Sequence, residues 1–427
     1  MNKLIVGFVP KDSREFAYVV DSKKYKGYST IEALASYFLQ DSVNFRILLL
    51  RPESLDESWE EDLKSRLISI GMKEENIVVC KFPTNGSYEG KRFITDPKII
   101  SDFIFLALKE NYKEEKEVIL DVSRGLNFLV LSAVEAYRRF IVAIKAKNIL
   151  NRGNIPNFKY VYLTPLGEGG GLSEIRLEKI DAHFFFDYFK NYDRLPFDFE
   201  TEKKEELCMK FNFIKKYITQ IVNTCIYTVK RGFVLAFLTI IDWKKVEEFL
   251  KEAEDKLNFL ALMDLDSELS EWEKTSEGEE IIKRKYAMNY PLGNLWIYIN
   301  LLKAFLEIYY EYRDKIFIEN DLKWVKIETL KDFNERIING VFKEYGTNVI
   351  LCNELEKFEF SFKRGEIRES KGGHSDILRN FNAHAGLILD FLEQDPKKGA
   401  ITYKKEIHNK INSFLREWQK EIETYKS

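Results

Sequence analysis

The chain has 427 residues, more than a single hydrophobic core normally supports, so about two domains are expected. A hydrophobic content of 45% and an aromatic content of 14% exclude an intrinsically disordered chain. Lys and Arg together number 66 and Asp and Glu 69, and the net charge of -3 excludes the overall positive charge typical of many nucleic-acid-binding proteins. Any site for RNA must therefore be local.

Targeting and redox signals favour the cytoplasm. The apolar run at the N-terminus is too short for a signal peptide, and Lys230 and Arg231 interrupt the most apolar helical stretch before it reaches membrane-spanning length. The cysteines form no CxxC pair, which argues against a zinc site and against a disulfide scaffold. We therefore expect a cytoplasmic protein without a membrane segment. The cysteines are Cys80, Cys208, Cys225 and Cys352.

Within residues 1–180, short apolar runs alternate with amphipathic stretches. Runs this apolar, separated by helices, predict a parallel sheet covered on both faces, that is, a Rossmann-like α/β domain. Ser29 is a predicted N-cap for the first helix, and Pro97 is a predicted first residue of the third. The predicted strands are Leu4–Val9, Phe45–Leu50, Asn76–Phe82, Glu117–Val122 and Lys159–Thr164, and the predicted helices are Thr30–Phe38, Glu57–Ile70 and Pro97–Leu108.

The spacing of the apolar residues changes after an aromatic connector at residues 181–200. Apolar residues keep a spacing of about 3.6 from Leu207 to Cys225 and again from Leu295 to Tyr309, as expected for the helices of a bundle. Residues 201–427 are therefore predicted to form an all-α domain. A charge-dense stretch at 242–284 is interpreted as a surface excursion from it.

The segment DVSRGLN, Asp121 to Asn127, joins a predicted strand to a predicted helix. Ligands of open α/β sheets bind outside the carboxyl ends of the strands, and the free N–H groups at a helix start attract anions. Ser123 and Asn127 can donate hydrogen bonds, Arg124 supplies charge, and Gly125 lets a ligand approach the backbone. A capped turn with no ligand remains the alternative.

Two further segments follow strands at the same predicted edge, Pro10–Phe16 and Thr164–Gly171. Neither contains a Walker loop or a GxGxxG fingerprint, so ATP hydrolysis and dinucleotide binding are disfavoured. Pro10, Lys11 and Thr164 are ligand candidates by position alone. The alternative for the glycine run is a mobile hairpin.

The segment SDILRNFNAHAG, residues 375–386, carries a second candidate site. An apolar stripe predicts one packed helix over Ser375–Gln394, with Ser375 as N-cap. Asn380 and His384 share a face of that helix, whereas Arg379 and His384 diverge by about 140°. Two such helices related by a homodimer axis would bring these groups together more easily. A structural histidine beside a solvent-facing arginine is the alternative.

The three polar side chains suit RNA cleavage without a metal. An imidazole can transfer a proton at the 2′-hydroxyl or at the leaving oxygen, and a guanidinium can stabilise the charge on the phosphorane. An amide can position the phosphate. The candidate catalytic residues are Arg379, Asn380 and His384.

Both motifs resemble those of known families. RNFNAHAG, residues 379–386, resembles the Arg-x-x-x-x-His motif of HEPN ribonucleases, in which a polar residue often follows the arginine. DVSRGLN resembles the Asp-x-Ser/Thr-x-Gly-x-Asn turn of CARF domains. Their order is similar to that of the CARF-HEPN ancillary ribonucleases of type III CRISPR systems, which serve antiviral defence.

This resemblance implies a homodimer, or an oligomer of dimers, that needs no cofactor or metal. A cyclic oligoadenylate, with cyclic tetra-adenylate preferred, would bind the two CARF domains and activate HEPN sites that cleave single-stranded RNA, leaving a 2′,3′-cyclic phosphate. Many relatives carry His at the position of Arg124, so the contact there and any degradation of the activator stay open. The catalytic residues would be Arg379, Asn380 and His384, and the ligand residues Pro10, Lys11, Ser123, Arg124, Gly125, Asn127 and Thr164.

Two other functions remain open at this point. One is a nucleotide-responsive regulator that binds DNA through its helical half, although no basic recognition helix stands out. The other is a toxin-like HEPN ribonuclease whose Rossmann-like half serves only for dimerisation.

Overall fold

The computed structural model describes residues 2–11, 14–95, 97–150, 154–165, 172–182, 221–261, 270–274, 280–284, 292–342, 349–369 and 377–415. These residues fall into two compact units. The first takes the described residues within Met1–Phe184 and Lys256–Ile297, and the second those within Lys210–Asp255 and Tyr298–Ser427.

The first unit is built on a mostly parallel sheet. Its described strands follow the order β3-β2-β10-β9-β8-β1-β4-β5, and the five strands from β9 to β5 in that order run parallel to one another. Ile5, Leu49 and Ile119 of the central strands have no exposed surface, as expected for a sheet covered on both faces. The strands are β1 Lys3–Phe8, β2 Phe16–Val20, β3 Lys23–Gly27, β4 Phe45–Pro52, β5 Ile77–Phe82, β6 Gly86–Tyr88, β7 Lys91–Ile94, β8 Glu117–Asp121, β9 Asn157–Pro165, β10 Leu172–Lys179, β11 Ser270–Lys274 and β12 Glu280–Arg284.

Among the described residues, four helices connect the parallel strands of this unit. They are α1 Thr30–Gln40, α2 Glu57–Ser69, α3 Pro97–Asn111 and α4 Asn127–Lys147. Ser29 caps α1, since its hydroxyl accepts the N–H of Glu32 at 3.3 Å. The sequence predicted a parallel α/β sheet, and the structure shows a mostly parallel one. The ends of the predicted strands lie within two residues of the observed ends.

Three strands on one side of the sheet were not predicted. β2 and β3 form a hairpin, and β10 is antiparallel to β9 and parallel to β2. The turn of the hairpin has positive φ at both Asp21 and Ser22, 46° and 68°, which matches the twist of two-residue hairpins. The sheet that was predicted to be all-parallel therefore contains both parallel and antiparallel pairs on the side formed by β3, β2 and β10.

A second sheet in this unit has the order β11-β12-β7-β6. β12 runs parallel to β7, with Ile282 opposite Phe93 in the register. The stretch 242–284, interpreted from its charge as a surface excursion, thus supplies two strands to this sheet. It also supplies a helix of the second unit, in which Val246 and Phe249 are buried.

Helices dominate the described part of the second unit. Phe237 is fully buried there, and its ring lies 6.0 Å from that of Phe305 and 5.3 Å from that of Phe333. The helices are α5 Asn223–Arg231, α6 Val234–Thr239, α7 Trp243–Ala261, α8 Leu292–Arg313, α9 Ile327–Phe333 with a π-helical continuation Asn334–Val341, α10 Val349–Lys363 and α11 Ile377–Ala383.

The all-α prediction for this half is wrong in one respect. β13 Ile316–Glu319, β14 Leu322–Lys326, β16 Ala400–Tyr403 and β15 Leu392–Asp395 form an antiparallel sheet in that order. The turn between β13 and β14 has positive φ at Asn320 and Asp321, 51° and 62°, and this turn chemistry sets up a hairpin rather than a helix.

The long helix predicted over Ser375–Gln394 is also wrong. α11 ends at Ala383, and the chain continues through a 3-10 turn, Leu389–Phe391, into β15. The helix ends because Ala385 and Gly386 take positive φ, 49° and 80°, and Gly386 N–H donates to the carbonyl of Phe381 at 2.8 Å. Ser375, the predicted N-cap, lies outside the described residues, as do the glycine run at 166–171 and connector residues 183–200.

Candidate functional site

The strand order brings the predicted ligand segments to one edge of the sheet. β8 lies between β1 and β9 and is parallel to both, so the carboxyl ends of all three strands meet there. Pro10 follows β1, the turn at 121–127 follows β8, and Thr164 lies near the end of β9. The start of β2 comes to the same edge, because β2 is parallel to β10 and β10 is antiparallel to β9.

The carboxylate of Asp121 accepts the hydrogen bonds that hold the turn at 121–127 in place. Asp121 is 3% exposed, and its carboxylate accepts the N–H of Ser123 at 2.9 Å. The hydroxyls of Ser123 and Thr30 also donate to it, and these two hydroxyl oxygens lie 2.9 Å apart. Burial raises the pKa of Asp121, and the hydrogen bonds from Ser123 and Thr30 oppose that rise. The start of α1 and the turn after β8 are thereby joined through one buried carboxylate.

Arg124 is held by the hairpin that the sequence did not predict. Its guanidinium lies 4.4 Å from the centre of the Phe16 ring, and its Nη2 donates to the hydroxyl of Tyr18 at 3.0 Å. Tyr18 is 1% exposed and therefore fixed. A cation stacked on an aromatic ring and oriented by a buried hydroxyl is a preorganised group for an anion or a nucleobase.

Gly125 has a backbone conformation that side chains rarely adopt. Its φ is +125°, and a Cβ there would lie 3.2 Å from Val130 Cγ2 and 3.3 Å from Phe8 Cδ2. Asn127 is the first residue of α4 and is exposed. The turn thus presents backbone and an amide to the space outside the strand ends.

The positional candidates differ in their surroundings. Pro10 is buried. Lys11 is exposed and pairs with Glu89 at 3.0 Å. Thr164 is partly buried and lies opposite Glu174 in the β9-β10 register. All three lie near the carboxyl ends of β1 or β9, and their contact with a ligand stays a prediction.

The second candidate site lies at the short helix α11. Arg379 is exposed, Asn380 is partly buried, and His384 follows the last helical residue, with 41% of its side chain exposed. The N–H of His384 donates to the carbonyl of Asn380 at 3.0 Å. Phe381 is fully buried, and its ring lies 4.7 Å from that of Phe233. Packing of Phe381 therefore fixes the helix that carries Arg379 and Asn380 and leads into His384.

Sequence reasoning missed a carboxylate at this site. Oε1 of Glu354, on α10, lies 3.3 Å from Nδ1 of His384. The Glu354 side chain is 5% exposed and also pairs with Lys357 at 2.7 Å and Arg368 at 3.2 Å. Burial tends to raise the pKa of Glu354, but hydrogen bonds from Lys357, His384 and Arg368 outweigh it, so the pKa is lowered.

Within the residues that the structure describes, no group of three or more His, Cys, Asp or Glu side chains is placed to hold a metal ion. None of the described helices combines the length and apolar character needed to cross a bilayer.

Residues 5–164 match the family model described as "CRISPR system endoribonuclease Csx1, CARF domain". The match covers β1 to β9 of the first unit and includes the turn at 121–127. It indicates a CARF domain in the first unit, and the mostly parallel sheet is consistent with it. The match does not extend into the second unit.

Other comparisons contribute little. No curated protein sequence matches the chain. Among solved structures, the crystal structure of protein VC1899 from Vibrio cholerae is similar over 84% of this chain and 69% of that chain, at 12% identity and a TM-score of 0.24. So low a TM-score supports no conclusion about fold or function.

Proposed function

We propose that this protein is a cyclic oligoadenylate-activated endoribonuclease that cleaves single-stranded RNA without a metal ion and acts in type III CRISPR defence. The CARF match over residues 5–164, which includes the turn at 121–127, carries this proposal. The turn combines an exposed amide, a stacked guanidinium and open backbone at the edge where α/β sheets bind ligands. The binding residues are Ser123, Arg124, Gly125 and Asn127, with Pro10, Lys11 and Thr164 beside them.

The proposed chemistry at α11 is transesterification. The 2′-oxygen attacks phosphorus while the bond from phosphorus to the 5′-oxygen breaks, which leaves a 2′,3′-cyclic phosphate and a 5′-hydroxyl. His384 takes the proton of the 2′-hydroxyl and returns it to the leaving 5′-oxygen. Arg379 stabilises the charge of the phosphorane, and Asn380 positions the phosphate. The exposure of Arg379 and His384 is compatible with contact to a polynucleotide.

The proposed active form is a homodimer. One cyclic oligoadenylate bridges two CARF domains, and two α11 helices form one composite site. Arg379 lies on α11, whereas His384 lies just beyond its last residue, Ala383. Five residues separate the two, a spacing that corresponds to about 140° on a straight helix, and this is the geometric reason to expect a second copy. Cyclic tetra-adenylate is the preferred activator.

A fluorogenic single-stranded RNA assay on the full-length protein tests the function. Cyclic tetra-adenylate should raise the cleavage rate strongly, with cyclic hexa-adenylate and linear tetra-adenylate as comparisons. Cleavage that is equally fast without any oligoadenylate would favour a toxin-like ribonuclease without a ligand switch. No cleavage, together with nucleotide-dependent DNA binding, would favour a regulator instead.

A further inference from the structure

The environment of His384 assigns a role to Glu354 that neither motif indicates. Glu354 lies on α10, thirty positions before the histidine, and is brought to it by the packing of the second unit. Lys357 pairs with Oε1 of the carboxylate at 2.7 Å, and Arg368 pairs with Oε2 at 3.2 Å. Both oxygens of a buried carboxylate are thus engaged by cations, and Oε1 also faces the imidazole at 3.3 Å.

The carboxylate itself is held in place. Arg368 is 18% exposed, and its guanidinium lies 4.6 Å from the centre of the Phe358 ring. Its backbone N–H donates to Gln394 Oε1 at 3.1 Å, and Gln394 Nε2 donates back to its carbonyl at 2.9 Å. Arg368 therefore ties Glu354 to β15, which follows the histidine in the chain. The contact to His384 belongs to a fixed network.

This geometry determines which nitrogen of His384 carries the proton in the neutral ring. The pKa of Glu354 is lowered, so the group is ionised near neutral pH, and an ionised carboxylate only accepts hydrogen bonds. The imidazole nitrogen that faces it, Nδ1, must therefore be the donor. Nε2 is left with a lone pair.

We propose, on the basis of the ribonuclease function above, that Glu354 is a positioning residue that holds His384 in the Nδ1–H tautomer and so makes Nε2 the nitrogen that exchanges a proton with RNA. Glu354 does not contact the substrate. Orientation of an imidazole by a buried carboxylate is a recurring arrangement when a histidine acts as general base. The ion pairs with Lys357 and Arg368 keep the carboxylate ionised and hold it facing the imidazole ring.

Nitrogen-15 NMR of histidine-labelled full-length protein tests this without RNA. Ring nitrogens report the tautomer directly, and a His384→Gln sample assigns the signal. His408 serves as a reference of the opposite kind, because its Nε2 lies 3.2 Å from the carbonyl oxygen of Tyr403 and must donate to it. We expect Nδ1–H for His384 and Nε2–H for His408 in the same wild-type spectrum.

Variants of α10 give the second readout. Glu354→Ala should convert His384 largely to the Nε2–H tautomer, and Glu354→Gln, which keeps the side-chain shape, should raise the Nε2–H fraction. Glu356→Ala removes an exposed glutamate of the same helix and should change nothing. In the RNase assay, Glu354→Gln should lower kcat by roughly tenfold to a hundredfold and leave KM within about twofold, because a positioning residue acts on the chemical step.

The outcomes separate this inference from the function on which it rests. An Nε2–H tautomer for His384 in the wild-type protein overturns the role of Glu354 even if the protein is a ribonuclease, and it needs no variant that has to fold. Equal tautomer populations in wild type and Glu354→Ala overturn it too. A protein with the expected tautomers but no RNase activity contradicts the proposed function instead.

Discussion

Arg124 Nη2 donates a hydrogen bond to the hydroxyl of Tyr18 at 3.0 Å, across 106 positions of the chain. The bond connects the turn after β8 to the hairpin of β2 and β3. The same guanidinium stacks on Phe16, at the start of β2. The hairpin therefore positions the arginine of the proposed activator site, and the turn is not an isolated capping element.

Removal of the Tyr18 hydroxyl tests this positioning. Tyr18→Phe should weaken activator binding by about threefold to tenfold, since one net hydrogen bond of this kind contributes on the order of 1 kcal/mol. Isothermal calorimetry with cyclic tetra-adenylate measures the effect. Tyr25→Phe is the matched control, because Tyr25 is a buried β3 tyrosine whose hydroxyl donates to Gln40 at 2.9 Å. Equal affinity of wild type and Tyr18→Phe would contradict the positioning role.

Asn127 is the residue of the turn that we propose contacts the activator directly. It is exposed at the first position of α4, and a lost charge-assisted contact costs on the order of 1.5–3 kcal/mol. Asn127→Ala should therefore lower activator affinity roughly tenfold to a hundredfold and leave unstimulated RNase activity unchanged. The control is Asn157→Ala. Asn157 is exposed at the amino end of β9, at the opposite end of the strands from the turn. Calorimetry should also give one ring per dimer, and one ring per monomer would contradict the bridging arrangement.

Gly125 provides a test of the backbone. A φ of +125° and the close approach of Val130 and Phe8 leave no comfortable place for a methyl group. Gly125→Ala should distort the turn at a cost of about 1–3 kcal/mol and lower activator affinity about tenfold or more. Gly399→Ala is the control, because φ there is +63°, no atom lies within 4 Å of the new Cβ, and the residue belongs to the second unit. It should leave activator affinity unchanged. Wild-type affinity in Gly125→Ala would show that the ligand does not use this backbone.

The sequence predicts the parallel half of the fold because buried strands are continuous apolar runs, as FRILLL in β4 shows. β3 was missed because its sequence, KKYKG, is mostly polar and exposed, so no apolar run marks it. β2, FAYVV, is itself a five-residue apolar run and could have been predicted. The Asp21-Ser22 turn is the signal that was available for this hairpin. The same applies to β13 and β14, where Asn320-Asp321 marks the turn.

The residues of the two candidate sites also differ in whether the sequence alone can predict them. Residues of one short segment, such as Ser123 to Asn127, can be proposed from sequence because their spacing alone places them on one turn. Thr30, Tyr18 and Glu354 cannot, since each reaches its partner only through packing, across 93, 106 and 30 positions respectively. The helix break after Ala383 was missed because the apolar stripe continues through Ile388 and Leu392, although Ile388 directly precedes a 3-10 turn and Leu392 begins a strand.

The catalytic assignment predicts separate losses from Arg379 and His384. Each alanine variant should lower cleavage by roughly a hundredfold or more, because one removes the charge that stabilises the phosphorane and the other the group that moves the proton. Both side chains are partly or largely exposed, so the fold and activator binding should survive. His408→Ala controls for loss of a histidine elsewhere in the second unit. EDTA should leave the wild-type rate unchanged, because the proposed proton transfer and charge stabilisation use side chains alone. Near-normal cleavage by His384→Ala would remove the site from α11, and loss of activity with EDTA, restored by a divalent cation, would replace the proposed chemistry with a metal-dependent one.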